Sequence, residues 1–251
     1  MRRTTVALLA LILAIPVGVV SAAEEKDLSL GEQIAEAIEQ LTTEELPWRD
    51  REKAIYVLTQ NPEASAGPLL DSIDATKNSY SRLWLLLCIN KFDDMSVFET
   101  GAAKIIKLLS DESFGTKFWT IKTVAKMKLA AAVKPLIEML STEDDLLRAA
   151  TATALGRIGG DTPIEQLIPL LKDPQEMVRR AAAEALGELK AAKAKAPLID
   201  ALGDENLVVK RAAVIALEEV TGKSFDIKAS DWAGSLEVVE KKINDWIEAN
   251  K

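Results

Sequence analysis

The 251-residue chain contains no histidine. That absence removes the Ser-His-Asp triad, the Cys-His dyad, the HExxH zinc site and every proton transfer that needs an imidazole. A single cysteine, Cys88, allows neither an intrachain disulfide nor a thiolate metal cluster. Basic charge is short as well: 31 Lys and Arg stand against 39 Asp and Glu, a net charge of −8. Phosphate binding needs a basic field, so nucleic acid is not an expected partner, and neither is an anionic membrane surface. Walker, Rossmann and EF-hand signatures are missing. Acidic pairs such as Glu44-Glu45, Asp93-Asp94 and Asp144-Asp145 are present, but their spacing demonstrates no enclosed two-carboxylate cleft. No catalytic residue, metal ligand or cofactor is expected. What remains is 48% hydrophobic and 28% charged residues, enough for one or two domains with a real core.

Residues 1–23 read as a secretory signal peptide. Arg2 and Arg3 give the positive start, Val6 to Ile15 is uninterrupted apolar sequence, and Pro16 and Gly18 break it. Val20-Ser21-Ala22-Ala23 offers small residues for cleavage after Ala22 or Ala23. The alternative is an uncleaved anchor, for which the apolar run is short. Losing Arg2 and Arg3 takes the net charge from −8 to −10. The mature protein is then acidic, is expected in the periplasm or outside the cell, and binds no membrane directly.

The remaining chain repeats. Segments that open around Val133, Glu165 and Lys195 superimpose without gaps at a step of 31 residues, from Leu136 to Leu167 to Leu198. Leu136, Leu167 and Leu198 coincide, as do Leu140, Leu171 and Leu202, then Arg148, Arg179 and Lys210, then Leu155, Leu186 and Leu217. Each unit reads as a short helix with Pro135 or Pro197 in its first turn, a turn, and an alanine-rich second helix. Thr142, Asp173 and Asp204 are aligned in the turns and are expected to cap the second helices. The same period extends backwards and gives six helical pairs, at 30–60, 66–92, 99–128, 131–159, 162–190 and 193–221.

The stretches Lys172-Asp173-Pro174-Gln175-Glu176-Met177-Val178-Arg179-Arg180-Ala181-Ala182-Ala183-Glu184-Ala185-Leu186-Gly187 and Ala154-Leu155-Gly156-Arg157-Ile158-Gly159 resemble the HEAT repeat, in the bacterial form also found in phycobilin lyases. The resemblance implies an all-α right-handed α–α superhelix over residues 24–222. It also implies a ladder of acids and bases between repeats, here Asp173, Asp204, Arg148, Arg179 and Lys210. It specifies no function, because such arrays serve many roles.

Residues 223–251 differ. Gly222 suits a helix terminus. Ser230 or Asp231 can then cap a last helix with Trp232, Leu236, Val239, Ile243 and Trp246 on one face. The Thr-Gly-x-x-Phe stretch followed by tryptophans resembles the tail of some exported bacterial HEAT-repeat proteins. An amphipathic helix here is expected to cover the raw end of the stack, or else to bind a partner.

Two sets of residues are candidates for contact with a partner. Arg180 and Arg211 stand next to the ladder positions and are freer to face outward. Trp84, Phe118 and Trp119 belong to an aromatic concentration in the second and third units, read either as core filling or as a pocket for a peptide or apolar ligand. Cys88, within Trp84-Leu85-Leu86-Leu87-Cys88-Ile89, reads as a buried apolar thiol. The leading expectation is a non-enzymatic binding or scaffold module of the cell envelope, monomeric by itself, that holds another protein on the concave face. The alternative is a small-ligand or lyase-like protein using the aromatic units. N-terminal sequencing of the mature protein should start at Ala23 or Glu24, and a mature chain starting at Met1 would overturn the export reading.

Overall fold

The computed structural model describes residues 28–250 except 162 and 235, and every regular element among them is helical. In order these are α1 (Leu30–Thr42), α2 (Trp48–Gln60), α3 (Pro62–Ala75), α4 (Ser79–Ile89), α5 (Ala102–Lys107), α6 (Phe114–Lys126) and α7 (Val133–Met139). There follow α8 (Asp145–Ile158), α9 (Ile164–Leu167), α10 (Glu176–Glu188), α11 (Lys195–Ala201), α12 (Leu207–Thr221), α13 (Ala229–Ala233) and α14 (Leu236–Ala249). No helix among the described residues is long and apolar enough to cross a membrane.

The second helices α4, α6, α8, α10 and α12 stack side by side in chain order. Their core positions repeat with the sequence. Ile121, Ala152, Ala183 and Val214 form one buried row, and Val124, Leu155, Leu186 and Leu217 form the next. The first helices contribute Ile105, Leu136, Leu167 and Leu198, all fully buried. Burying one such leucine is worth about 2 kcal/mol, and the rows join into one continuous core. The first helices are short. α9 stops after four residues, and the chain tightens into a 3₁₀ turn over Ile168–Lys172. Pro169 is the cause: it lacks the N–H that would reach back to Glu165.

From α6 to α12 the second helices start in register, and α6, α8 and α10 also end in register. Ser113, Asp144, Gln175 and Asn206 occupy the position before the helix, and the Ser113, Asp144 and Asn206 side chains accept a backbone N–H there. The expected caps Thr142, Asp173 and Asp204 lie two residues too early. At the other end Lys128, Gly159 and Lys190 all take positive φ. At Lys128 and Lys190 the flanking N–H groups bond back across the last turn, Leu129 to Val124 and Ala191 to Leu186, both at 3.1 Å. Small residues set the spacing between helices. A Cβ on Gly156 would lie 2.7 Å from Ala185 Cα, and one on Gly187 would lie 2.8 Å from Ala216 Cα.

The first pair departs from this regularity. α1 packs on α2 and also on both α3 and α4. Ser81 Oγ donates to the Thr42 carbonyl and Tyr80 Oη to that of Glu44, each at 3.1 Å, so the start of α4 closes the end of α1. The second pair also begins earlier than expected, at Pro62, which leaves Pro68 inside α3.

At the other end α12 stops at Gly222, φ 69°. Phe225 stacks on Trp246 with ring centroids 4.1 Å apart, and Val239, Ile243 and Trp246 are buried. The tail is two helices rather than one, because Gly234 leaves the helical conformation (φ −106°, ψ −120°). Asp231 serves the junction: it accepts the Lys228 N–H at 2.8 Å and pairs with Lys242 of α14 at 2.7 Å.

Two substitutions on α10 and its exit should act in opposite directions. Gly187→Val forces α10 and α12 apart and should cost about 2–3 kcal/mol. Lys190→Gly removes a left-handed side chain and should add about 1 kcal/mol. Chemical denaturation of each variant measures both.

Candidate binding groove

The ladder residues define one edge of the second-helix row. Arg148 Nε donates to Asp173 Oδ2 at 3.0 Å and its Nη2 to Oδ1 at 3.2 Å. Its Nη1 reaches the Thr142 and Glu143 carbonyls of its own turn at 2.7 and 2.9 Å. Arg179 repeats the pattern on Asp204, at 2.7 and 3.1 Å, and on the Asp173 and Pro174 carbonyls. Each aspartate also accepts the N–H two residues on, from Gln175 at 2.9 Å and from Asn206 at 2.8 Å. Thus Asp173 and Asp204 do not cap helices. They brace a turn and receive the arginine of the preceding repeat. Arg82 and Asp111 make the same pair earlier in the chain, and Lys210 continues it into the tail through Glu240 at 3.5 Å. By the 31-residue register Lys117 and Thr142 hold the places of Arg148 and Asp173 one repeat earlier, so that rung lacks its acid.

Burial works against ionisation of Asp204, but the Arg179 guanidinium, the Asn206 N–H and the Lys210 charge together hold its carboxyl below the usual carboxylate range. A hollow of about 420 Å³ adjoins this rung, lined by Pro169, Pro197, Arg179 and Asp204. Of the charges that line it, Arg179 and Asp204 are committed to each other.

The exposed face of the second helices is different. A groove of about 280 Å³ crosses α6, α8 and α10. Ala125, Ala150, Ala154 and Ala181 make its floor, Phe118, Leu146 and Met177 give apolar walls, and Lys122, Arg157 and Arg180 add positive charge. Next to it, between α10 and α12, a hollow of about 370 Å³ is lined by Gly187, Ala216, Ile215, Glu184, Glu188 and Glu219. Burial pushes the Glu188 carboxyl above its ordinary range; Arg157 opposes the shift and Glu184 adds to it.

Of the residues singled out in the sequence, Arg180 lies in the groove, exposed, and bonds Glu184 of its own helix at 3.2 Å. Arg211 is exposed on α12, and no ion pair among the described residues engages it. Phe118 is a groove wall. Trp119 meets it edge-on at 6.1 Å, and the Lys122 ammonium lies 5.4 and 5.7 Å from the two ring centres. Trp84 stands apart, beneath the buried Arg51 guanidinium (4.6 Å) and edge-on to Tyr80 (6.3 Å). Phe92 and Phe98 pack on each other in the core. The aromatic residues of the second and third units therefore form separate clusters rather than one pocket, because Arg51 claims the first and the core claims the second. Burial pushes the Cys88 thiol up to about 12, which leaves it protonated and inert.

Sequence reasoning passed over Lys122, Arg157, Glu184, Glu188 and Glu219. For Arg157, Glu188 and Glu219 the signal was present: with Lys126 they lie 31 residues apart and so occupy one column of the face. Residues 1–23, read from the sequence as a signal peptide, lie outside the described residues.

Residues 133–218 match the family model of HEAT repeats. The fold is an armadillo/HEAT-type α-solenoid. No curated protein sequence matches the chain. Solved structures with this architecture include YibA of Escherichia coli, with a TM-score of 0.56 and 20% identity over 90% of this chain and 98% of that one. The complex of CpcE and CpcF of phycocyanin lyase from Nostoc sp. PCC7120 has a TM-score of 0.51 and 19% identity, covering 92% and 99%. A designed armadillo repeat protein in complex with the peptide (KR)4 has a TM-score of 0.55 and 20% identity, covering 75% and 99%. At these identities the likeness is one of fold.

Asp204→Asn should lower stability by about 2 kcal/mol at neutral pH, since it weakens the acceptor for a largely buried guanidinium. A depressed carboxylate pKa stabilises the folded state above the ordinary value and loses that contribution as pH falls through the folded one. The gap between wild type and variant should therefore be full above about pH 5 and close below about pH 4. Urea denaturation at several pH values measures it.

Proposed function

We propose that this chain is a non-enzymatic binding scaffold that works after export, in the periplasm or outside the cell, and holds a protein partner on the exposed face of its second helices. The observation that carries the reading is the groove over α6, α8 and α10, whose apolar walls surround Lys122 and Arg157, cations with no ion pair among the described residues. The row beneath is held by close helix contacts and by arginine rungs, so the face is preorganised and little ordering is lost on binding. The lack of histidine and the inert Cys88 weigh against catalysis. A designed armadillo repeat protein of the same architecture is in complex with the peptide (KR)4, which supports a peptide segment as the form the partner presents. Export rests on the leader-like residues 1–23, and the monomeric state is part of the same reading.

A small-ligand role has one observation in its favour, the Phe118, Trp119 and Lys122 cluster at the end of the groove. Crosslinking in the native host, followed by capture of the tagged mature protein and mass spectrometry, separates the two. One envelope protein should be recovered repeatedly, and it should be lost with Met177→Glu or with Lys122→Glu combined with Arg157→Glu. Retention of a small molecule with no protein partner would overturn the scaffold reading.

A further inference from the structure

The groove and the neighbouring hollow carry opposite charge. Along one column of the face, successive 31-residue steps read Lys126, Arg157, Glu188 and Glu219. Lys126 is committed, donating to the Asn90 and Phe92 carbonyls at 2.9 and 2.6 Å. One turn earlier on the same helix, Lys122 is exposed and lies over Phe118, so it supplies the positive charge of α6. Arg157 supplies that of α8. On the far side Glu184, Glu188 and Glu219 surround Ile215, which is 50% exposed. No ion pair of the described residues involves Lys122, Arg157, Glu188 or Glu219. Along this column the sign therefore reverses between α8 and α10; beside it Arg180 is paired with Glu184 of its own helix and Arg211 stays exposed on α12, and exposed apolar side chains, Leu146 at 47% and Ile215, continue on both sides of the reversal.

This pattern is at odds with a ligand of one charge. A wholly basic peptide meets Lys122 and Arg157, and a wholly acidic one meets the three glutamates. Neighbouring helices lie about 9 Å apart and an extended chain rises about 3.3 Å per residue, so α6 to α12 spans about eight or nine residues. We propose that the second-helix face holds an extended partner segment of mixed charge, its acidic end over α6 and α8, apolar residues at the reversal, and its basic end over α10 and α12. The proposal rests on the scaffold reading and adds the chemistry and the orientation of the segment. Polyanions such as nucleic acid or a lipid surface fit only one half of this face. The order of charge, and not its sum, selects the occupant.

The test uses the full mature chain and two synthetic peptides of equal composition and about twelve residues, fluorescently labelled and followed by anisotropy at physiological salt. One carries its glutamates, leucines and lysines as three blocks; the other alternates glutamate and lysine around the same leucines. The blocked peptide should bind about tenfold more tightly, since several exposed pairs each add a modest amount. A photo-crosslinker at its acidic end should attach to α6 or α8, and one at its basic end to α12. Glu188→Lys combined with Glu219→Lys, checked for unchanged helicity, should abolish the preference and favour a peptide acidic at both ends. Equal binding of the two wild-type peptides would overturn charge reading while the captured partner, if found, keeps the scaffold reading alive. Binding by neither peptide, or crosslinks with the ends exchanged, would overturn the proposal too. Failure of the scaffold reading itself registers separately, as an empty capture.

Discussion

Backbone-to-backbone approach between successive second helices is the constraint from which the rest of the molecule follows. At Gly156 on Ala185 and at Gly187 on Ala216 there is no room for a methyl group. Two helices that meet this closely have one relative placement, since sliding either by a residue drives a side chain into a backbone. Because both contacts fall at the same point of the 31-residue period, the placement is copied from pair to pair. Interaction energy in such a stack is mostly between neighbours, so the copied contact sets the geometry of the whole row.

The arginine rungs add direction to that contact. A guanidinium has five N–H groups in a fixed plane, and Arg148 and Arg179 each divide theirs between two carbonyls of their own turn and the aspartate of the next. A nearly buried ion pair gains little net stability over an apolar substitute. Its effect is to fix which turn lies beside which. Glu240 occupies the equivalent place for Lys210, so the tail docks by the rule that joins the repeats. Its own apolar face, with Trp246 on Phe225, packs over the core row of the last repeat.

The groove is a by-product of the same economy. Small residues that let the helices approach also leave a shallow floor of alanines, and any longer side chain on that face becomes a wall. Phe118, Met177 and Ile215 stand out for that reason. Where the repeats are less regular the floor is filled differently: Trp119 occupies the position of Ala150, Ala181 and Ala212, and α1 occupies space beside α4 that a regular second helix would fill.

Much of this was determined by the sequence alone. Leu136, Leu167, Leu198 and Leu155, Leu186, Leu217 mark helix faces, because a buried stripe needs apolar residues at helical spacing, and their 31-residue recurrence requires a stacked architecture. The candidates for a ladder, Arg148, Arg179, Asp173 and Asp204, recur in the same register. Tertiary structure decided what periodicity cannot express. Asp173 and Asp204 could each have capped a helix or paired with an arginine, since a carboxylate accepts either donor, and only the position of the neighbouring turn chose the pair. Trp84, Phe118 and Trp119 are alike in sequence pattern, but Arg51 folds over one of them and the groove opens beside another. Lys122, Arg157, Glu188 and Glu219 are ordinary surface charges until the stacking sets them side by side. Local preference and repeat spacing act along the chain, whereas a charged face exists only between helices, and its sign is set by which helices meet.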